Sequence, residues 1–131
     1  MEFNINKVIY NVFEESPNVE KLSVNVIGKF GLSKEDNSNR VHFIEVNIEG
    51  TNEKTENITR SLNVVARLDY HLDKDKFPKL TSSIDEDHKY FEECLNRIAK
   101  YIVNITAGSD SLRAVQIDVA EILQDYNEGE N

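Results

Sequence analysis

Hydrophobic positions along the chain repeat every two residues over roughly its first half and every three to four thereafter, so strands are expected first and helices afterwards. Between Phe3 and Phe13, one alternation class holds Phe3, Ile5, Ile9 and Phe13, and the other holds Val8, Tyr10 and Val12. Both faces of this strand are therefore expected to be partly covered. The segment Glu14 to Asn18 ends it, because Pro17 cannot donate to a sheet ladder and forces an extended conformation on the residue before it. From Val19 to Phe30 the alternation sharpens, with Leu22, Val24, Val26 and Phe30 opposite Ser23, Asn25 and Lys29. After the polar loop Ser33 to Arg40, Ile44, Val46 and Ile48 alternate in a third strand, which Gly50 and the polar run after it close. The fourth strand is the most regular: Leu62, Val64, Ala66, Leu68, Tyr70 and Leu72 share one face. Four strands joined by short polar segments predict an antiparallel meander with one dry and one wet face.

Beyond Lys79 the period becomes helical. Ser83 with Glu86 has the spacing of a capping box, Asp85, Glu86 and Asp87 crowd the first turn, and Gly108 stands where a left-handed C-cap belongs. Between them Phe91, Leu95, Ile98, Ile102 and Ile105 form the apolar stripe, which Cys94, Tyr101 and Val103 widen. A helix of about 24 residues would be about 36 Å long, longer than the strands it is expected to cover. A second capping pair, Asp118 with Glu121, opens a short C-terminal helix carrying Val119, Ile122, Leu123 and Tyr126. The connection between the helices holds Leu112, Val115 and Ile117 and is too apolar to be a free linker. The expected class is α+β: a four-stranded antiparallel sheet, a long helix, an apolar crossover and a short last helix, as one domain over residues 1–126 with a disordered tail at 127–131.

Composition narrows the function. The chain has 131 residues and a formal net charge of −9, with no basic stripe to displace counterions from phosphates, which argues against nucleic acid and against an anionic membrane surface. Such self-repulsion keeps in solution a protein that displays apolar surface. Cys94 is the single cysteine, so no intrachain disulfide forms, and a reducing, cytoplasmic setting is expected. The N-terminus lacks a signal-peptide pattern, and no apolar run reaches the length of a membrane span.

No reaction chemistry stands out. The five glycines form no phosphate loop, and of the three histidines only His88 shares a helix face with a second candidate ligand, Glu92, which reads as a solvated surface. Cys94 lies mid-helix beside the apolar stripe and reads as a small buried hydrophobe. No pair of carboxylates is singled out, so neither an enzyme nor a cofactor is expected. What remains is apolar area beyond what one helix covers, which fits a subunit interface, a peptide groove, or both.

The N-terminal run FNINKVIYNVFEESPN resembles the opening of SecB, the protein-export chaperone family. KLSVNV resembles that family's second strand, RSLNVVARLDYHL its fourth, CLNRIAKYIVNIT its long helix, and LRAVQIDVAEILQDY its crossover and final helix. The resemblance implies an ATP-independent holdase, a dimer or dimer of dimers, binding unfolded or extended polypeptide. It implies a client-binding or oligomer surface on Leu62, Val64 and Ala66, and a peptide groove involving Leu68, Tyr70, Tyr101, Leu112 and Val115. The family's acidic docking surface for the SecA motor is kept only at Glu15, since Asn11, Ser61 and Asn63 stand where outward acidic positions are expected. That departure argues against SecA docking and leaves open a dedicated interaction module, or an antitoxin-associated SecB-like chaperone with a single partner.

Overall fold

The computed structural model describes residues 1–14, 19–78, 80–107 and 113–130, the last four by their backbone alone. Four strands, β1 (Glu2–Val12), β2 (Glu20–Leu32), β3 (Asn39–Asn52) and β4 (Ile58–His71), precede two helices, α1 (Asp85–Thr106) and α2 (Val119–Glu130). The backbone of α2 is thus helical well into the segment expected to be a tail. Gly108, the expected C-cap of α1, lies outside the described residues.

The strands make one antiparallel sheet in the order β1-β4-β3-β2. The meander expectation holds for β2, β3 and β4 but not for β1, which lies beside β4 at the far side of the sheet. A chain returning in this way makes a Greek key. Thermodynamics favours it because β4, apolar along one whole alternation class, becomes a central strand paired on both sides.

The β1 alternation also differs from expectation. Ile5 pairs with Ala66 and Lys7 with Val65, so Asn6 is an extra residue in a bulge, and the side-chain parity inverts across it. Phe3, Ile5, Val8, Tyr10 and Val12 therefore share the helix side of the sheet, and Ile9 is turned to the outer face beside Asn63. A two-residue period read straight through position 6 cannot show this.

Helix α1 packs over β3 and β4. Phe91, Cys94, Leu95, Ile98 and Ile102 meet Ile44, Val46, Ile48 and the inward residues of β4, all buried. Each such aliphatic side chain contributes about 1.5–3 kcal/mol on leaving water. The helix does not overshoot the sheet, contrary to the sequence expectation. Its 22 residues make about 33 Å, whereas the 14 residues of β4 extend about 46 Å. Uncovered apolar area therefore lies along the sheet margins rather than at the helix end.

The start of α1 is fixed differently from the expected Ser83 and Glu86 pair. Ile84 is the N-cap, and the Asp87 carboxylate accepts its backbone N–H at 2.8 Å. The pair opening α2 forms as expected on one side, with Glu121 N–H donating to Asp118 Oδ1 at 3.1 Å.

Candidate functional site

Six of the residues singled out for client binding or assembly lie inside the subunit. Leu62, Val64, Ala66, Leu68, Tyr70 and Val115 are at most 5% exposed, sealed beneath α1 and the crossover. They are core in this arrangement, not surface, because the most regular apolar face is the one that buries most area. Tyr101 is half-buried against that core. Leu112 and Glu15 lie outside the described residues. Ser61 and Asn63 are half-buried on the outer face of the sheet, with neutral side chains.

Most of the large apolar side chains that reach solvent belong to the two marginal strands, with Met1, Phe13, Val19 and Ile58 exposed outside them. On the helix side, β1 leaves Val8 and Val12 at 37% and 41% exposure, and β2 leaves Val24 and Phe30 at 40% and 38%. Among the described residues neither β1 nor β2 has a second neighbour in the sheet, so each presents a free row of backbone donors and acceptors. The two edges are unlike. β1 is bent by its bulge, whereas β2 keeps one uninterrupted register with β3 over all 13 of its residues.

Helix α2 packs beside α1 and reaches β2 through Tyr126, whose hydroxyl lies 3.7 Å from where a Cβ on Gly28 would be. Gly28 lies in close contact with the Phe91 ring, and a Cβ there would sit 2.9 Å from Phe91 Cε2. Tyr126 stacks on Phe91 with centroids 4.8 Å apart. Glycine thus lets an aromatic pair from α1 and α2 settle onto the middle of β2, with Val24 and Phe30 open to either side. The result is an apolar ledge between α2 and the free β2 edge.

Two polar clusters fasten the start of α1 and the crossover to the sheet; of their side chains the sequence singles out Tyr70 and Asp87, but not the clusters themselves. At the start of α1, buried Arg40 donates from Nη1 to Asp87 Oδ2 at 2.5 Å and to the Ser82 carbonyl at 3.0 Å. Its Nη2 and Nε donate to the carbonyls of Leu80 and Asn37 at 2.8 and 2.9 Å. The Tyr70 hydroxyl donates to Asp87 Oδ1 at 2.6 Å, and His42 Nε2 donates to the Asp87 carbonyl at 2.9 Å. Burial holds His42 below the ordinary imidazole range, partly opposed by that carbonyl bond. Burial first, and then the bond to Asp87, pushes the Tyr70 hydroxyl far above the ordinary phenol range. The signal in the sequence was parity: Arg40 and His42 fall in the same alternation class as Ile44, and Asp87 lies one turn before Phe91.

At the other end, Arg60 donates to Glu20 Oε1 at 2.6 Å, to the Tyr10 hydroxyl at 3.2 Å and to the Arg113 carbonyl at 3.0 Å. Thr59 also donates to Glu20. Thr106 Oγ1 accepts the Val115 N–H at 2.8 Å while donating to the Ile102 carbonyl at 2.7 Å. Arg60 and Thr106 therefore pin the crossover at two points, which seats Val115 in the core.

The remaining chemistry is sparse. Cys94 is fully buried and burial pushes its thiol up to about 12, which leaves it protonated at neutral pH. His88 and Glu92 are both exposed. Among the described residues no three His, Cys, Asp or Glu side chains converge as a metal site, and no helix is long and apolar enough to cross a membrane. The outer face carries shallow hollows. One of 710 Å³ is lined largely by polar residues such as Arg67, Asp69 and His71. Another, of 470 Å³, lies between Ile27, Phe43 and Val65.

No family model matches the sequence, and no curated protein matches it. A solved structure does: the Mycobacterium tuberculosis Rv1957 SecB-like chaperone, determined in complex with a ChAD peptide from the Rv1956 HigA1 antitoxin. The two chains are 14% identical and superpose with a TM-score of 0.59, over 90% of this chain and 86% of the other. The chain, with its four-stranded antiparallel sheet, long helix and short final helix, therefore has the SecB-like α+β fold.

Proposed function

We propose that this protein is an ATP-independent holdase chaperone that keeps unfolded or extended apolar polypeptide from aggregating, in a cytoplasmic setting. One observation carries the reading. The β2 edge is long, regular and unpaired, and beside it Val24 and Phe30 stay half-exposed on a ledge walled by α2. An extended chain added there gains main-chain hydrogen bonds from the edge and buries alternate side chains on the ledge, which is recognition by strand addition. Leu62, Val64, Ala66 and Leu68 act in this reading as the floor that holds α1 in place, with Tyr101 on α1 and Val115 in the crossover packed against it. The β1 margin, with Val8 and Val12 open on the helix side, is the surface through which a second copy associates, giving a dimer or a dimer of dimers. Docking to SecA forms no part of the proposal.

The holdase reading predicts that the purified protein suppresses aggregation of a chemically unfolded client at stoichiometric ratio without nucleotide. Undiminished light scattering at a large excess of the protein contradicts it. A second reading, a dedicated chaperone for one partner, is favoured by the antitoxin peptide that accompanies the structural neighbour. It predicts capture of a single partner and no effect on unrelated unfolded clients.

A further inference from the structure

Charge on the β2 edge is distributed unlike the charge of the whole chain. The protein carries −9, yet the charged residues of β2 are Glu20, Lys21 and Lys29, and Glu20 is taken up by Arg60 and Thr59. Lys21 and Lys29 remain, both exposed and both on the outer alternation class. Across the ladder on β3 they face Thr51 and Phe43, and Glu49 and Glu45 stand on the diagonals without an ion pair to either. Among the described residues neither lysine makes an ion pair. Their other cross-strand position is the vacant one beyond the edge, where an added strand would bring its side chains to about 5 Å, Cβ to Cβ.

We propose that the β2 edge selects extended segments with carboxylates at the two positions facing Lys21 and Lys29 and apolar residues on the opposite, ledge-facing alternation. This rests on the strand-addition reading above and names the class of polypeptide it takes. A second copy of β2 does not suit the edge. The antiparallel self-pairings of greatest overlap set Lys21 of one copy opposite or diagonal to Lys29 of the other, and like charges so placed repel. An acidic segment pairs both lysines at once. Between them, Ile27 is 44% exposed beside the 470 Å³ hollow, so an apolar side chain is also accepted near the Lys29 end. The overall negative charge opposes an acidic ligand at long range. At about 0.15 M salt that field is screened beyond about 8 Å, and the direct pairs are what remain.

Edge lysines also serve simply to block pairing, and the experiment separates the two roles. Three synthetic peptides of the length of β2 share alternating valine and isoleucine on one class and carry Glu, Gln or Lys at the two outward positions. Their binding to the full-length protein is followed by fluorescence anisotropy. The Glu peptide is expected to bind about fivefold more tightly than the Gln peptide, the size that two exposed cross-strand pairs supply, and the Lys peptide more weakly than either. The Lys21→Glu, Lys29→Glu double variant inverts that order, and Lys7→Glu on β1 leaves it unchanged. Equal affinity for the three peptides overturns the charge selection and leaves strand addition standing. Tighter binding of all three by the Lys21→Gln, Lys29→Gln variant also overturns it, since the lysines would then be blockers alone. Failure of every peptide to bind the wild-type protein overturns strand addition and this inference with it.

Discussion

Arg40 Nη1 lies 2.5 Å from Asp87 Oδ2, and both side chains are at most 1% exposed, one from β3 and the other from the first turn of α1. This pair is the point at which the long helix is fastened to the sheet. A buried ion pair is weak evidence of net stabilisation, but losing one partner strands the other charge in the interior, which costs about 3–5 kcal/mol. Arg40→Met is therefore expected to lower the unfolding free energy by about that amount. Adding Asp87→Asn is expected to restore part of it, as measured by urea denaturation. Equal stability of wild type and Arg40→Met would mean that the pair fastens nothing.

His42 makes the same junction sensitive to pH. Burial lowers its folded-state pKa, whereas the unfolded side chain titrates near 6.5. Below that value the unfolded chain binds a proton that the folded chain refuses. The contribution of His42 is thus fully present above about pH 7 and is lost as the pH falls through 6.5 toward the lowered folded value, by at most about 1.4 kcal/mol per pH unit. The groups facing it are Asp87, through its carbonyl, and the hydroxyl of Tyr70, with His88 nearby on α1. Urea midpoints measured from about pH 7.5 to about pH 5.5 are expected to fall less for His42→Gln than for wild type. Parallel falls would assign the acid sensitivity to the carboxylates instead.

Gly28 is required by contact, not by backbone torsion, since no glycine among the described residues has a positive φ. Gly28→Ala places a methyl group against the Phe91 ring. A loss of about 1–3 kcal/mol is expected from overpacking of this kind, with partial rescue by Phe91→Leu. Thermal denaturation of the two variants and the pair checks this, and additive losses would show that the two positions do not meet.

Thr106→Val removes the acceptor of the Val115 N–H while keeping the side-chain shape. Leaving that buried donor unmet costs about 1–3 kcal/mol. Faster hydrogen exchange at Val115 and its neighbours in the crossover, with α1 protection retained, is the expected result. Unchanged exchange at Val115 would assign the crossover's position to Arg60 alone.

Element types and the core were legible in the sequence because each rests on local periodicity. The inward class of β4 and the stripe from Phe91 to Ile102 both became core. Strand order was not legible, because the β1 and β4 partnership is a long-range choice that no local pattern encodes. The bulge at Asn6 hid the true parity of β1. The candidate residues of β4 show a related effect: the strongest apolar alternation marks what is buried first, so Leu62, Val64, Ala66 and Leu68, chosen by that strength, became floor. The open surface falls on β2, where Val24 and Phe30 look like core residues in sequence and are exposed only because α1 is too narrow to cover four strands.

The proposed holdase activity requires that polypeptide join the free edge of β2. Hydrogen exchange of the full-length protein, measured residue by residue with and without an extended apolar peptide, tests this most directly. Added protection at alternate amides between Glu20 and Leu32, those that point away from β3, is the predicted result. Protection confined to β1 or to the helices, with β2 amides exchanging as before, would contradict it.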